Sequence, residues 1–188
     1  DIVNRWTDDA AEQLKIVIDT DVLGAIPADA HASNQGTAAG VISGAYTLGV
    51  AGTPQQVAAA DILGFIVDCG SVLDEQNVPE PGRFMVMPAL VCGLLKKSDL
   101  KNANEMGDAT SVQRHGKLGM IDRFTIYASN LIAGSNTNST GYQILFGHRD
   151  ATTFATQLTE SQTQVNPNGF GMLHRGLQVY GYKVVKSE

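Results

Sequence analysis

The chain has 188 residues, 43% hydrophobic and 17% charged, a composition that fits one globular domain or two small lobes and excludes an intrinsically disordered chain. Its formal net charge is −6 and no Lys/Arg run exceeds the pair Lys96–Lys97, so the sequence lacks the basic surface by which proteins bind nucleic acid. No apolar run reaches the roughly 18 residues that a membrane-spanning helix needs.

Amphipathic spacing predicts a first helix over roughly Asp1–Leu23, ended by Gly24. Its apolar positions recur at steps of three and four residues: Val3, Trp6, Ala10, Leu14, Val17 and Ile18. We predict that Trp6, Leu14 and Ile18 are buried against a hairpin formed by the C-terminal end of the chain. The helix opens without a capping residue before it, which we interpret as a sign that the sequence begins within a longer protein.

A capping box predicts the start of a second helix. Thr53 precedes Pro54 at the first helical position, and Gln56 follows three residues after the threonine. Cys69 and Cys92 stand in apolar patterns without C-x-x-C spacing, so we interpret both as buried free thiols. The face of this helix expected to be buried comprises Ala58, Ile62, Phe65, Ile66, Cys69 and Leu73.

The remainder of the chain alternates short strands, helices and loops, which predicts an α+β fold. The predicted elements are a buried strand at Phe84–Met87, a third helix from Pro88, an exposed polar loop at Leu100–Lys117, strands at Gly119–Tyr127 and Tyr142–Phe146, a helix at Asp150–Leu158 and a long strand at Phe170–Lys186. Asn166–Gly169 reads N-P-N-G, a strong turn signal because proline pre-sets φ and glycine closes the turn. We therefore predict a long antiparallel hairpin at the end of the chain.

No arrangement of residues indicates an enzyme or a metal protein. The tripeptide at 148–150 matches the kinase catalytic loop, but the other kinase motifs are missing, and we interpret Asp150 as a helix N-cap. The histidines lack metal-ligand spacing: His31, His115, His148 and His174. The paired acids fall on exposed helix faces and helix ends: Asp8/Asp9, Asp19/Asp21 and Asp74/Glu75. We predict no catalytic, cofactor-binding or metal-ligating residue, and no cofactor.

Five segments, taken in order, resemble those of one protein family. They are Asn34–Gly44, Asn77–Pro88, Gly119–Asn130, Ile144–Ala151 and Arg175–Val185. Each segment is weakly specific by itself, whereas their order and spacing together are fairly specific. On these segments the chain resembles the major capsid protein of tailed bacteriophages over most of its length.

The resemblance implies the tailed-phage major capsid protein fold, with a spine helix and long antiparallel strands in a peripheral domain and a mixed α/β axial domain. Residues 1–51 and 159–188 would form the peripheral domain, and residues 52–158 the axial domain that packs around the five- and six-fold axes. Members of the family carry an N-terminal arm and an extended loop before the spine helix, and this sequence would lack both. We therefore expect the 188-residue chain to be a monomer or small oligomer in dilute solution.

The resemblance also implies a structural, non-enzymatic function: a capsid subunit that self-assembles into rings and an icosahedral shell around the viral genome. Its partners would be copies of itself in pentameric and hexameric rings, with scaffolding, portal or decoration proteins, and neither a specific nucleic-acid sequence nor a membrane. The expected location is the virion, after assembly in the bacterial host cytoplasm. Two alternatives stay open: an encapsulin-type bacterial shell protein, which shares the fold, and a small α+β hydrolase or ligand-binding domain with a pocket formed by Ser98–Lys117.

Overall fold

The computed structural model describes residues 2–50, 52–98, 119–135 and 141–187. The helices and strands are, in chain order, α1 (Ile2–Ala25), α2 (Ile62–Glu75), β1 (Arg83–Met87), α3 (Ala89–Lys97), β2 (Met120–Ile121), β3 (Phe124–Ala128), β4 (Leu145–His148), β5 (Thr152–Val165) and β6 (Met172–Val184). Short 3₁₀ turns lie at Ile26–Asp29, Ala32–Asn34 and Arg149–Ala151. Together these elements make the mixed α+β chain that the sequence predicts.

The core forms between one small sheet and two helices. The sheet has the order β2-β3-β1-β4, with β1 parallel to β3 and antiparallel to β4. β1 is almost entirely buried because it is a central strand with an apolar sequence, which is typical of strands covered on both faces. The main cluster of buried side chains comprises Ile62, Ile66, Cys69, Leu73, Met85, Met87, Cys92, Leu95 and Phe124.

The second helix begins later than its capping box predicts. Thr53 instead forms a backbone bridge with Val50. The Val50 amide donates to the Thr53 carbonyl at 3.2 Å, and the Thr53 amide donates to the Val50 carbonyl at 3.0 Å. Because this bridge holds the Thr53 backbone in an extended pair, Thr53 does not start a helix. α2 begins at Ile62, and four predicted core positions of that helix are buried, whereas Ala58 precedes it and is exposed.

The first helix is mostly exposed. Of its three residues that were predicted to be buried, two are exposed. Ile18 is buried, with 7% of its surface exposed, but Trp6 is 75% and Leu14 43% exposed. The reason is that the C-terminal hairpin meets α1 at its end, where the Tyr180 hydroxyl donates to Asp21 at 2.9 Å. The prediction was therefore wrong for Trp6 and Leu14.

A long two-stranded hairpin, β5–β6, replaces the helix predicted at Asp150–Leu158. Cross-strand pairs such as Phe154 with Tyr182 run along the ribbon, with a bulge between Leu158 and Glu160. Threonine-rich β5 suits this pairing, since β-branched and aromatic residues favour strands over helices. The predicted helix was wrong, whereas the turn at Asn166–Gly169 is confirmed: the Asn166 side-chain oxygen accepts from the Asn168 amide at 3.0 Å.

The other predicted elements agree with the structure in part. β1 and α3 match the predictions, with Pro88 as the residue before α3. The strand predicted at Gly119–Tyr127 is two strands, because Asp122 and Arg123 turn the chain with φ values of 43° and 68°. The strand predicted at Tyr142–Phe146 begins at Leu145. The polar loop predicted at Leu100–Lys117 lies outside the described residues.

Alanine substitutions on α1 would test this account of the helix. We expect Ile18→Ala to lower the free energy of unfolding by about 2–4 kcal/mol, because its side chain is removed from a packed site. Leu14→Ala should cost less than about 1 kcal/mol, since Leu14 keeps much of its contact with water. Urea denaturation of the two variants measures the difference, and equal losses would contradict the exposure of Leu14.

Candidate functional site

Of the three histidines in the described part of the chain, His31 and His148 bond the backbone of turns, whereas His174 hydrogen-bonds the Thr163 hydroxyl. The ring of His148 accepts from the Asp150 amide through Nδ1 at 3.2 Å, so its Nε2 donates to the Pro81 carbonyl at 2.8 Å. His148, and not Asp150, therefore caps the 3₁₀ turn Arg149–Ala151, which corrects the N-cap assigned from sequence. His31 caps the turn at Ala32–Asn34 in the same way.

The two cysteines are buried free thiols, as predicted. Burial raises the pKa of the Cys69 thiol, and nearby Asp68 raises it further. Burial also raises the pKa of Cys92. A thiol whose pKa is raised is a poor nucleophile, because the thiolate is the reactive form. Neither cysteine is therefore suited to covalent catalysis.

Within the described ranges, no group of three or more His, Cys, Asp or Glu side chains could hold a metal ion. No helix within those ranges is both long and apolar enough to cross a membrane. The loop Ser98–Lys117, which the hydrolase alternative needs for its pocket, lies outside the described residues except for Ser98. The absence of catalytic, cofactor-binding and metal-ligating residues stays a prediction.

An ion-pair network ties α2 to the sheet. Arg83, with 1% of its side chain exposed, donates from Nη2 to Asp74 at 2.7 Å and to the Val78 carbonyl at 2.5 Å. Arg123, in the turn between β2 and β3, donates to the other Asp74 oxygen at 2.8 Å and to Glu80 at 2.9 Å. Partial burial alone would raise the pKa of Asp74, but the hydrogen bonds and charges of the two arginines lower it below its usual value. Both arginines thus pair with the Asp74 carboxylate, while Arg83 Nη1 is buried and has no hydrogen-bond partner among the described residues.

The exposed large apolar side chains include three groups that lie away from the core. One is α1, with Trp6, Leu14 and Val17, and another is the end of the hairpin, with Val165, Phe170 and Met172. The third is a turn that carries Val41 and Ile42. Exposed apolar patches of this kind mark protein interaction surfaces. These surfaces are the candidate functional site.

An open groove of about 1010 Å³ lies beside the core. Apolar side chains from α2, α3 and the sheet line part of it: Phe65, Phe84, Leu94, Ile144 and Phe146. Backbone of the segment after α1, including Gly36 and Gly49, forms another part of its wall. His148, Asp150 and Lys186 also line the groove, together with several side-chain amides, so its wall is partly apolar and partly polar.

Comparisons with known proteins bear on the fold. No family model matches the chain, and no curated protein does. Two solved structures match over 97% of it. A chain of Mycobacterium phage Che8 has a TM-score of 0.73 with 24% sequence identity, and the capsid structure of the cyanophage P-SCSP1u has a TM-score of 0.63 with 14% identity. This chain spans 59% and 61% of the length of those two chains.

These matches define the class of fold to which the chain belongs. It has a mixed α+β fold that is shared with a phage capsid structure, which confirms the fold class predicted from the sequence. The matched region takes in the exposed helix α1 and the long hairpin as well as the core, since 97% of the chain is aligned.

Proposed function

We propose that this chain is part of the major capsid protein of a tailed bacteriophage. In this role it self-assembles into rings and an icosahedral shell that encloses the viral genome. The observation that carries the proposal is the structural match along nearly the whole chain to a phage capsid structure. The exposed apolar surfaces support it, because a shell subunit needs surfaces that other copies cover.

We also propose that the chain forms two domains. Residues 1–51 with the C-terminal hairpin would form the peripheral domain, and the four-stranded sheet with α2 and α3 the axial domain near the five- and six-fold axes. We place the second boundary at Thr152 instead of residue 159, because β5 runs through 159 without a break. The separate two- and four-stranded sheets support this division.

The proposed partners follow from the same role. Copies of the chain would form pentamers and hexamers in the virion after assembly in the host cytoplasm, with scaffolding, portal or decoration proteins as further partners. Neither a membrane nor a specific nucleic-acid sequence is among the proposed partners, and the net charge of −6 would limit adhesion to the packaged genome. The proposed activity is assembly without catalysis.

Electron microscopy of the natural protein that contains this sequence tests the proposal. We expect closed particles with icosahedral symmetry when that protein is produced in bacteria with its scaffolding function. The 188-residue chain should remain a monomer or small oligomer by light scattering at micromolar concentration. A natural protein that stays monomeric at high concentration would contradict the capsid role, and megadalton particles from the 188-residue chain would contradict the expected need for further segments.

A further inference from the structure

The turn that joins β5 to β6 contains Asn168, the only asparagine of the sequence that is followed by a glycine. Asn168 and Gly169 are both exposed at the far end of the hairpin. The Asn168 amide donates to the Asn166 side-chain oxygen at 3.0 Å, and the Asn166 amide donates to the Gly171 carbonyl at 3.0 Å. These two bonds hold the turn, and neither of them uses the Asn168 side chain or the Gly169 amide.

This turn therefore places two groups that can react with each other side by side. A bond between the Gly169 backbone nitrogen and the side-chain carbonyl carbon (Cγ) of Asn168 closes a five-membered succinimide ring. When an asparagine precedes any other residue, the Cβ of that residue obstructs the approach. Glycine has no Cβ and a wide choice of backbone angles, so Gly169 removes the obstacle.

We propose that Asn168 is a site of spontaneous deamidation in the folded protein. In the first step the Gly169 nitrogen loses its proton and bonds to Asn168 Cγ, while the side-chain nitrogen takes up a proton and leaves as ammonia. In the second step water opens the ring. Attack at Cγ breaks the new bond and gives aspartate, whereas attack at the backbone carbonyl breaks the original peptide bond and gives isoaspartate, in which the main chain runs through Cβ. Water is the co-reactant, and the proposal does not depend on the capsid function.

The same turn contains an asparagine that cannot react in this way. Asn166 precedes Pro167, whose backbone nitrogen carries no hydrogen to lose. The Asn166 side-chain oxygen is also held by the Asn168 amide. Asn34 and Asn130 differ as well, because each precedes a residue with a Cβ and its side chain is hydrogen-bonded to a distant part of the chain. The structure thus favours reaction at Asn168 over these three asparagines.

Deamidation changes both the charge and the shape of the hairpin end. It replaces a neutral amide with a carboxylate and so adds one negative charge to a chain of formal net charge −6. The new charge lies in the same turn as the exposed Phe170 and next to the last strand pair, Val165 with Met172. Isoaspartate also lengthens the main chain within the turn. A stored preparation therefore becomes a mixture of copies with neutral and charged hairpin ends.

A glycine-to-alanine substitution tests the proposal without disturbing the hairpin. Residue 169 has no positive φ, and a Cβ there would lie 3.6 Å from the Asn166 side-chain nitrogen, an ordinary contact distance. Gly169→Ala should slow the loss of the Asn168 amide by about tenfold or more, because the methyl group obstructs ring closure. Gly181→Ala is the matched control on the same hairpin, where a Cβ meets open space, and it should leave the rate unchanged. Circular dichroism establishes that both variants are folded.

Mass spectrometry of the natural protein that contains this sequence measures the reaction. The protein is incubated at mildly alkaline pH in water labelled with heavy oxygen and is then digested with trypsin in ordinary water. The fragment 150–175 contains Asn166 and Asn168 and no other asparagine. We expect residue 168 to gain one labelled oxygen as aspartate and isoaspartate, and residue 166 to keep its amide. Conversion after digestion carries no label, so labelled product reports on the intact protein alone.

A free peptide of residues 150–175 is the reference for an unprotected asparagine. We expect the wild-type protein and the peptide to be converted at comparable rates, because Asn168 and Gly169 are exposed. Retention of the Asn168 amide in the folded protein while the peptide is converted would overturn the proposal, and so would an equal rate in wild type and Gly169→Ala. Neither result bears on whether the protein assembles into shells.

Discussion

Replacing Phe124 with alanine is expected to lower the free energy of unfolding by about 3–5 kcal/mol. Phe124 lies on β3, is fully buried in the main core cluster and packs edge-on against Phe146, with ring centroids 6.4 Å apart. Truncation removes a large apolar side chain and leaves a cavity between the sheet and α2, and both effects destabilise the fold. Urea denaturation monitored by circular dichroism measures the loss.

Tyr127→Ala is the matched control for Phe124→Ala. Tyr127 is an aromatic residue on the same strand, but its side chain is 56% exposed. Its truncation should cost about 1 kcal/mol or less, mainly through the lower strand preference of alanine. Equal denaturation midpoints for the two variants would show that the core is not built around β3 as described.

Replacing Asp74 with asparagine is expected to cost about 2–3 kcal/mol at neutral pH. The substitution leaves the buried Arg83 without its carboxylate, and removing one partner of a buried ion pair is strongly destabilising. The Asp74 side chain is 42% exposed, so solvent screening places the loss below that of a fully buried pair. Asp68→Asn is the control, since Asp68 lies on the same helix but outside this network, and it should cost less than about 0.5 kcal/mol.

The pH dependence of the Asp74 effect has a definite sign. Because the pKa of Asp74 in the folded protein is lower than its usual 3.8, the ionised carboxylate stabilises the fold, and this contribution is complete above the usual pKa. It is lost as the pH falls from about 3.8 through the lower folded pKa. The difference between wild type and Asp74→Asn should therefore be constant from pH 5 to 8 and shrink below about pH 4. A difference that grows on acidification would contradict the network.

The parts of the fold that follow from local patterns could be predicted from the sequence. The buried strand at Phe84–Met87, the helix after Pro88 and the turn at Asn166–Gly169 each have a local cause: an apolar run, a proline at a helix start and a turn tetrapeptide. These signals act within a few residues, so no distant contact is needed to interpret them. Overall order and spacing of such segments also indicated the fold class.

The wrong predictions concern elements whose structure depends on contacts with residues far away in the sequence. Thr53 has an ideal capping sequence, yet its bridge to Val50 prevents a helix start. Residues 152–158 form a strand because they pair with a distant part of β6, from Thr152 with Val184 to Leu158 with Gln178. The apolar residues of α1 do recur at helical spacing, but this spacing does not determine whether they pack inside their own chain. Trp6 and Leu14 were therefore assigned to the core of their own chain.

The contact between Glu75 and the turn that carries Val41 and Ile42 was not predicted, because its partners are far apart in the sequence. Glu75 appeared as a solvated acid, whereas it binds two backbone amides of a turn more than 30 residues earlier. The spacing Gly36, Gly40 and Gly44 was the available signal for a turn with unusual backbone angles. It did not identify the carboxylate, since any acidic residue in the chain could have filled that position.

Polar contacts at the base of the hairpin limit when the chain can finish folding. The side chain of Asn34 donates to the Ser187 carbonyl across 153 residues of sequence, and Lys183 pairs with Asp29 beside it. At typical rates of roughly 5–20 residues per second, a ribosome takes on the order of ten seconds or more to synthesise that interval. Until then α1 has emerged but its C-terminal partner does not exist. A nascent chain therefore passes through a stage in which the end of α1 lacks the C-terminal residues that contact it in the folded protein.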